Sequence, residues 1–165
     1  MANRSFAMLC SGYGRGIINL IKNKSKLKHK IKLIICPEKS EDLISLAKKN
    51  EICFKFIDSN LNLNQKNDLV LNLLEEFNID YLFLIGCTFR IKKRILQKYN
   101  NKVINIHPSI LPSFKGLNAI DQAINYGVKV SGISTHFANE DFDCGKIIQQ
   151  KCIRIEGLSF EQIDK

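Results

Sequence analysis

An amide, an imidazole and a carboxylate stand at positions in this sequence where they could carry out acyl-transfer chemistry. Asn105 and His107 lie two residues apart in an apolar, β-branched run, so on a strand both side chains point to the same face. Pro108 ends that strand. A second strand-like run, 130–137, leads into a carboxylate-rich loop that contains Asp143. Asn and His can donate hydrogen bonds to an oxyanion, and a carboxylate can pair with the imidazole.

The segments that must position these groups alternate between apolar strands and amphipathic helices along the whole chain. Strands are predicted at 5–10, 31–36, 52–57, 81–85, 103–107, 130–137 and 146–155. Helices are predicted from residue 17 and over 40–49, 67–77 and 117–126. This alternation predicts an α/β domain of three layers with a mostly parallel, twisted, Rossmann-like sheet. Ligands are expected outside the carboxyl ends of its strands.

A glycine-rich turn, Ser-Gly-Tyr-Gly-Arg-Gly at 11–16, follows the first strand and precedes a helix. Such a turn directs free backbone N–H groups and the positive end of the helix dipole towards one place, which suits a phosphate. The turn does not match G-x-G-x-x-G, because Ile17 takes the place of the third glycine. From the residues alone, a tight turn that binds nothing is an equal alternative.

The composition limits the classes of protein to consider. The 165 residues predict one domain, and the net charge of +9 comes from 25 basic and 16 acidic side chains. The lysines are scattered, including an alternating set between Lys22 and Lys32 without interleaved aromatic residues, so we expect no nucleic-acid partner. No apolar run approaches the ~20 residues of a membrane span, and no signal peptide is present, which predicts a cytoplasmic protein without a membrane partner. The six cysteines form no C-x-x-C pair, and no metal is expected.

Two stretches, NIHPSILPSFKGLNAIDQAI at 105–124 and GVKVSGISTHFANEDFDCGKII at 127–148, resemble the folate-dependent formyltransferases. This resemblance implies that Asn105, His107 and Asp143 are the catalytic residues. The D-x-G spacing to Gly145 selects Asp143 among the carboxylates of its loop. The resemblance also implies that His136 is an active-site neighbour, and a histidine buried in the core for structural reasons is the alternative.

The resemblance implies two binding regions around these residues. One is the phosphate turn at Gly14, Arg15 and Gly16, and the other is a folate pocket that includes Arg90, Ile91, Glu140 and Asp141. A solvated Arg90 at a helix start is the alternative for the second region. The chain departs from the family pattern in two places. Arg15 and Gly16 replace the usual Ser-Asn, and the polar stretch 58–65 lacks the usual arginine, so that Lys66 is the nearest cation.

The activity that the resemblance implies is transfer of a formyl group from 10-formyltetrahydrofolate to the amine of a small phosphorylated acceptor. The chain is most similar to family members that formylate glycinamide ribonucleotide in purine biosynthesis, and a monomer or homodimer is expected. Two alternatives remain at this point. One is formylation of another amine such as an amino sugar, and the other is a non-catalytic folate- or nucleotide-binding remnant.

The length of the chain adds expectations about its domains. It is short for the RNA-binding domain of the tRNA-formylating relatives and for the regulatory domain of formyltetrahydrofolate hydrolases. We therefore expect residues 1–165 to form a single formyltransferase domain. Ser159 and Gln162 spell a capping box three residues before the last residue, Lys165, so a C-terminal helix is expected to be cut short.

Overall fold

The structure, a computed structural model, describes residues 4–23 and 29–163. Two features of the sequence analysis lie partly or wholly outside these ranges. They are the alternating lysines between Lys22 and Lys32 and the predicted interruption of the last helix at Lys165. In chain order the elements are β1 (Ser5–Leu9), α1 (Arg15–Lys22), β2 (Lys30–Cys36), α2 (Glu41–Lys49), β3 (Cys53–Phe56), α3 (Leu63–Glu76), β4 (Tyr81–Ile85), α4 (Lys93–Lys98), β5 (Val103–His107), α5 (Ala119–Tyr126), β6 (Val130–Phe137), β7 (Ile147–Arg154) and α6 (Phe160–Ile163). Among the described residues, no helix is both long and apolar enough to cross a membrane.

The strands form one sheet in the order β3-β2-β1-β4-β5-β6-β7. The first five strands in this order are parallel, and β6 and β7 run antiparallel to their neighbours. The parallel pairs are joined by helical crossovers, as such pairs require. The predicted α/β fold with a mostly parallel sheet is confirmed.

Helices cover both faces of the sheet, because successive residues of the central strands point in opposite directions. In β1, Ala7 and Leu9 pack into a cluster with α3 and α4, whereas Met8 packs into a second cluster with α1 and α2. All three side chains are almost fully buried. A strand buried on both faces reads as a continuous apolar run, and this explains the apolar sequence of β1 and β4.

Three helices begin at other residues than the sequence pattern indicated. Helix α3 begins at Leu63 instead of residue 67, because Asn62 and Gln65 form a capping box with bonds of 3.0 and 2.9 Å. In the polar stretch 58–65, which its composition predicts as a loop, residues 62–65 are therefore the cap and first turn of a helix. Helix α1 begins at Arg15 instead of Ile17.

Helix α5 begins at Ala119 instead of residue 117. Its cap residue, Asn118, adopts the left-handed conformation with φ of 58°, which delays the start of the helix.

Candidate active site

Asn105, His107, His136 and Asp143 form one hydrogen-bonded cluster. Nδ2 of Asn105 donates to Oδ1 of Asp143 at 3.0 Å, and Nδ1 of His107 lies 3.3 Å from Oδ2 of the same carboxylate. Nε2 of His136 lies 3.3 Å from Oδ1 of Asp143 and 3.1 Å from Nδ2 of Asn105. The structure thus brings together the amide, imidazole and carboxylate that the sequence analysis singled out, and His136 joins them.

The pairing of β5 with β6 sets one side of this cluster. Asn105 lies directly opposite His136, and His107 lies opposite Ser134. Directly paired residues of antiparallel strands point to the same face of the sheet, so the three ring and amide groups meet there. Asn105 and His107 also share a face because they are two residues apart.

The loop after β6 supplies the carboxylate through an unusual backbone. Asp143 has a φ of 52°, in the left-handed region that a residue with a side chain rarely adopts. Two residues later, a Cβ on Gly145 would lie 1.6 Å from the carbonyl oxygen of Phe137 and 3.3 Å from Nδ1 of His136. The glycine of the D-x-G motif is therefore required because the loop passes directly against the end of β6.

Backbone groups of the loop between β5 and α5 complete the cluster, and no pattern in the sequence marked them. Nε2 of His107 lies 2.7 Å from the carbonyl oxygen of Phe114, and the N–H of Gly116 donates to Oδ2 of Asp143 at 2.8 Å. A carbonyl oxygen can only accept, so Nε2 of His107 carries a hydrogen. Nδ1, which faces Asp143, is the nitrogen left for proton exchange.

The surroundings of Asp143 determine its charge. Burial raises the pKa of this carboxyl, but the hydrogen bonds from His136 and from the Gly116 N–H lower it, as do the charges of His107 and His136. The net effect holds the pKa of Asp143 below its usual value. Asp143 is therefore a carboxylate at neutral pH, and it can accept a proton or stabilise a charged imidazole.

We expect Asp143 to make the stability of the protein depend on pH. Because its pKa is lower in the folded chain than the value of about 3.9 in an unfolded one, its charged form favours folding. That contribution is complete above the unfolded pKa and is lost as the pH falls through the lowered folded pKa. The difference in urea midpoint between wild type and Asp143→Asn should shrink from about pH 5 to about pH 2. A difference that stays constant over this range would contradict the assignment.

A cavity of about 610 Å³ opens over the cluster, at the carboxyl ends of the parallel strands. A volume of this size is in the range of small-molecule sites. The site residues predicted from the sequence that line it are Arg15, Arg90, Ile91, Asn105, His107, His136, Glu140, Asp141 and Asp143. Among the described residues, no three His, Cys, Asp or Glu side chains are grouped so as to hold a metal ion.

The glycine-rich turn borders this cavity through Arg15, while its glycines shape the backbone. Gly14 has a φ of 71°, and a Cβ there would lie 2.6 Å from Cδ2 of Leu43. A Cβ on Gly16 would lie 2.7 Å from Cγ2 of Ile85, so this glycine lets α1 approach β4 closely. The first helical bond of α1 runs from the N–H of Ile18 to the carbonyl oxygen of Gly14, so earlier N–H groups stay outside the helical ladder.

The predicted folate residues line the same cavity from the loop before α4 and the loop after β6. Arg90 is exposed in the loop before α4, and its guanidinium lies 5.0 Å from the ring centre of Phe142. Ile91 is buried, and Glu140 lies 4.0 Å from Nζ of Lys93. Arg90 and Ile91 are thus in a loop instead of a helix start. Lys66, the cation nearest to the stretch 58–65 that lacks the usual arginine, donates to the carbonyl oxygen of Ser59 in that stretch.

Comparison with known proteins identifies relatives across nearly the whole chain. The model of the formyl transferase family matches residues 4–163. Phosphoribosylglycinamide formyltransferase of Bacillus subtilis is 33% identical over 158 residues, which cover 93% of this chain and 80% of that protein. The trifunctional purine biosynthetic protein adenosine-3 of Homo sapiens is 36% identical over 154 residues, and the match covers 91% of this chain. The chain spans only 15% of the length of that human protein.

A solved structure has the same architecture. Phosphoribosylglycinamide formyltransferase from Bacillus halodurans superposes with a TM-score of 0.83 and 31% sequence identity. The superposition covers 93% of this chain and 81% of that one. Residues 4–163, which the family model matches, include the segments that carry the cluster.

Proposed function

The chain belongs to the formyl transferase family, and from that premise we propose that it transfers a formyl group to the amine of glycinamide ribonucleotide. The formyl donor in this proposal is 10-formyltetrahydrofolate. The names of the relatives from Bacillus subtilis and Bacillus halodurans support this acceptor. The proposal includes a single formyltransferase domain, two small-molecule substrates and a cytoplasmic location, as a monomer or homodimer.

The observation that carries the proposal is the convergence of Asn105, His107 and Asp143 at the floor of one cavity. These residues come from two different segments, 38 positions apart in the case of Asn105 and Asp143. Formyl transfer passes through a tetrahedral oxyanion, which needs hydrogen-bond donors beside a group that can handle a proton. Such a set at the carboxyl ends of parallel strands is where an α/β fold places its chemistry.

In the proposed reaction, the acceptor amine attacks the formyl carbon, a new C–N bond forms, and the bond from that carbon to N10 of the folate breaks. One proton moves from the amine to N10, so that the atoms balance. Nδ2 of Asn105 and Nδ1 of the protonated His107 donate hydrogen bonds to the oxyanion, while Nε2–H of His107 stays bound to the Phe114 carbonyl. Asp143 keeps the imidazole oriented and takes the amine proton through water. Nδ1 of the protonated His107 gives its proton to N10, and the proton on Asp143 then returns to Nδ1, 3.3 Å away. A lost oxyanion donor typically costs ~10²–10³ in rate.

The function is tested by incubating the purified protein with 10-formyltetrahydrofolate and a set of amines. Turnover is followed by the release of tetrahydrofolate and by mass spectrometry of the formylated product. We expect turnover with glycinamide ribonucleotide and none with amino sugars. Formylation of an amino sugar instead would contradict the acceptor, and folate binding without any transfer would contradict the reaction.

We expect Arg15→Ala to raise the KM for glycinamide ribonucleotide about tenfold. Arg15 is the residue of the glycine-rich turn that lines the cavity, and a guanidinium there can form charge-assisted hydrogen bonds to a phosphate. A loss of about 1.4 kcal/mol of binding corresponds to that factor of ten. The KM for the folate should stay the same, because the proposed folate contacts Arg90 and Ile91 belong to another loop of the cavity.

The matched control for this prediction is Arg94→Ala, which removes an exposed arginine that is paired with Asp68 on α3. Equal effects of the two substitutions on the KM for glycinamide ribonucleotide would rule out a specific phosphate contact by Arg15.

A further inference from the structure

We infer that Gln150 and Ser134 are positioning residues for His107. They act through the loop between β5 and α5, whose Phe114 carbonyl holds one edge of the imidazole ring. The kinetic part of this inference rests on the proposed function. Its structural part concerns His107 alone and can be tested without turnover.

The network begins on the edge strand β7. Nε2 of Gln150 donates to the carbonyl oxygen of Leu111 and to Oγ of Ser134, both at 2.9 Å. Ser134 Oγ also accepts from the N–H of Leu111 at 3.0 Å and donates to the carbonyl oxygen of Ser109 at 2.7 Å. A hydroxyl has one hydrogen and two lone pairs, so Ser134 uses its full bonding capacity, and its side chain is completely buried.

A short path leads from these bonds to His107. Oγ of Ser109 donates to the carbonyl oxygen of Ser113 at 2.6 Å, and the N–H of Ser113 donates to the carbonyl oxygen of Ile110 at 3.0 Å. Phe114 follows at once with a φ of 53°, and its carbonyl oxygen meets Nε2 of His107 at 2.7 Å. The hydrogen bonds thus hold Ser109, Ile110, Leu111 and Ser113, four of the six residues between His107 and Phe114.

The position of that carbonyl matters because it decides which nitrogen of His107 faces the reaction. The hydrogen bond made by one ring nitrogen fixes the protonation of the other. With Nε2–H held by Phe114, the edge with Nδ1 is turned to Asp143 at 3.3 Å. A displaced loop would leave the ring free to turn and its hydrogen free to move to Nδ1. Neutral His107 could then no longer accept a proton at Nδ1.

The setting of Gln150 supports a specific role for its amide. All eight residues of β7 are exposed, so this strand contributes little to the apolar core. Gln150 nevertheless reaches inwards to the Leu111 carbonyl of the loop and to the Ser134 hydroxyl on β6. Its neighbour Gln149 is the same residue type on the same strand, and neighbouring side chains on a strand point to opposite faces. Gln149 therefore provides a matched control.

The kinetic experiment compares Gln150→Glu and Gln150→Ala with Gln149→Ala. Glutamate keeps the size of the side chain but has no amide hydrogen to give to Leu111. We expect kcat to fall about tenfold in both Gln150 variants, as small displacements of a catalytic group commonly cause, with KM unchanged. Gln149→Ala should retain the wild-type kcat. Equal kcat in all three variants would overturn the inference. The inference would also be overturned if the fall in kcat equals the fall in the fraction of folded protein, as determined by urea unfolding.

The second measurement is NMR of ¹⁵N-labelled histidine, which is practical because the chain has three histidines. The resonance of His107 Nε2 should shift in Gln150→Glu, and its proton should exchange faster with water, while Gln149→Ala stays at the wild-type values. A fall in kcat without any change at His107 would overturn the positioning role. The two proposals can fail separately. If Gln150→Glu shifts the His107 resonance but the wild-type protein forms no product from glycinamide ribonucleotide, the proposed function is refuted and the positioning role stands.

Discussion

Replacing Asp143 by asparagine is expected to lower kcat by about 10²–10⁴, the range typical for a lost acid–base group. The carboxylate accepts from Asn105 Nδ2 at 3.0 Å and from the Gly116 N–H at 2.8 Å, and it lies 3.3 Å from His107 Nδ1. An amide of the same shape removes the negative charge and one of the two accepting oxygens. The contact that orients His107 and the proposed route for the amine proton are then lost.

The measurement is steady-state kinetics with glycinamide ribonucleotide and 10-formyltetrahydrofolate. We expect the loss to appear in kcat, since the carboxylate acts mainly on the transition state. Asp42→Asn is the control, because Asp42 is an exposed carboxylate in the first turn of α2. A kcat of Asp143→Asn equal to that of this control would show that Asp143 takes no part in the reaction.

Replacing Gly145 by alanine is expected to destabilise the protein by about 3 kcal/mol, at the upper end of typical overpacking costs. The added Cβ would lie 1.6 Å from the carbonyl oxygen of Phe137, a distance at which the backbone itself must move. The strand end and the loop that carries Asp143 would separate. Activity should fall together with stability, because His136 also lies 3.3 Å from the added atom.

Urea unfolding followed by circular dichroism gives the stability change for Gly145→Ala. Gly12→Ala is the matched control, since a Cβ at Gly12 would meet nothing within 4 Å and its backbone lies outside the left-handed region. We expect the control to unfold at nearly the wild-type midpoint. A wild-type midpoint for Gly145→Ala would mean that the loop can adopt another backbone conformation without loss of stability.

Much of the architecture follows from local patterns in the sequence. Continuous apolar runs such as Tyr81–Ile85 belong to strands buried on both faces, and the structure places that strand at the centre of the sheet. The start of α3 was predicted four residues too late, because its polar cap, Asn62 with Gln65, has the composition of a loop. Composition does not separate a polar cap from a polar loop, because capping depends on side-chain bonds to the backbone.

The sequence by itself determined the fold class and singled out Asn105, His107, His136 and Asp143, because strand periodicity and a motif are local properties of side chains. Only the tertiary structure decided three contacts of the loop between β5 and α5. In these contacts the Phe114 carbonyl binds His107, the Gly116 N–H binds Asp143, and Gln150 donates to the Leu111 carbonyl. One partner in each of these contacts is a backbone N–H or carbonyl group, which nearly every residue carries and no sequence pattern reveals. The third joins positions 39 apart in the chain, so it exists only once β7 has paired with β6.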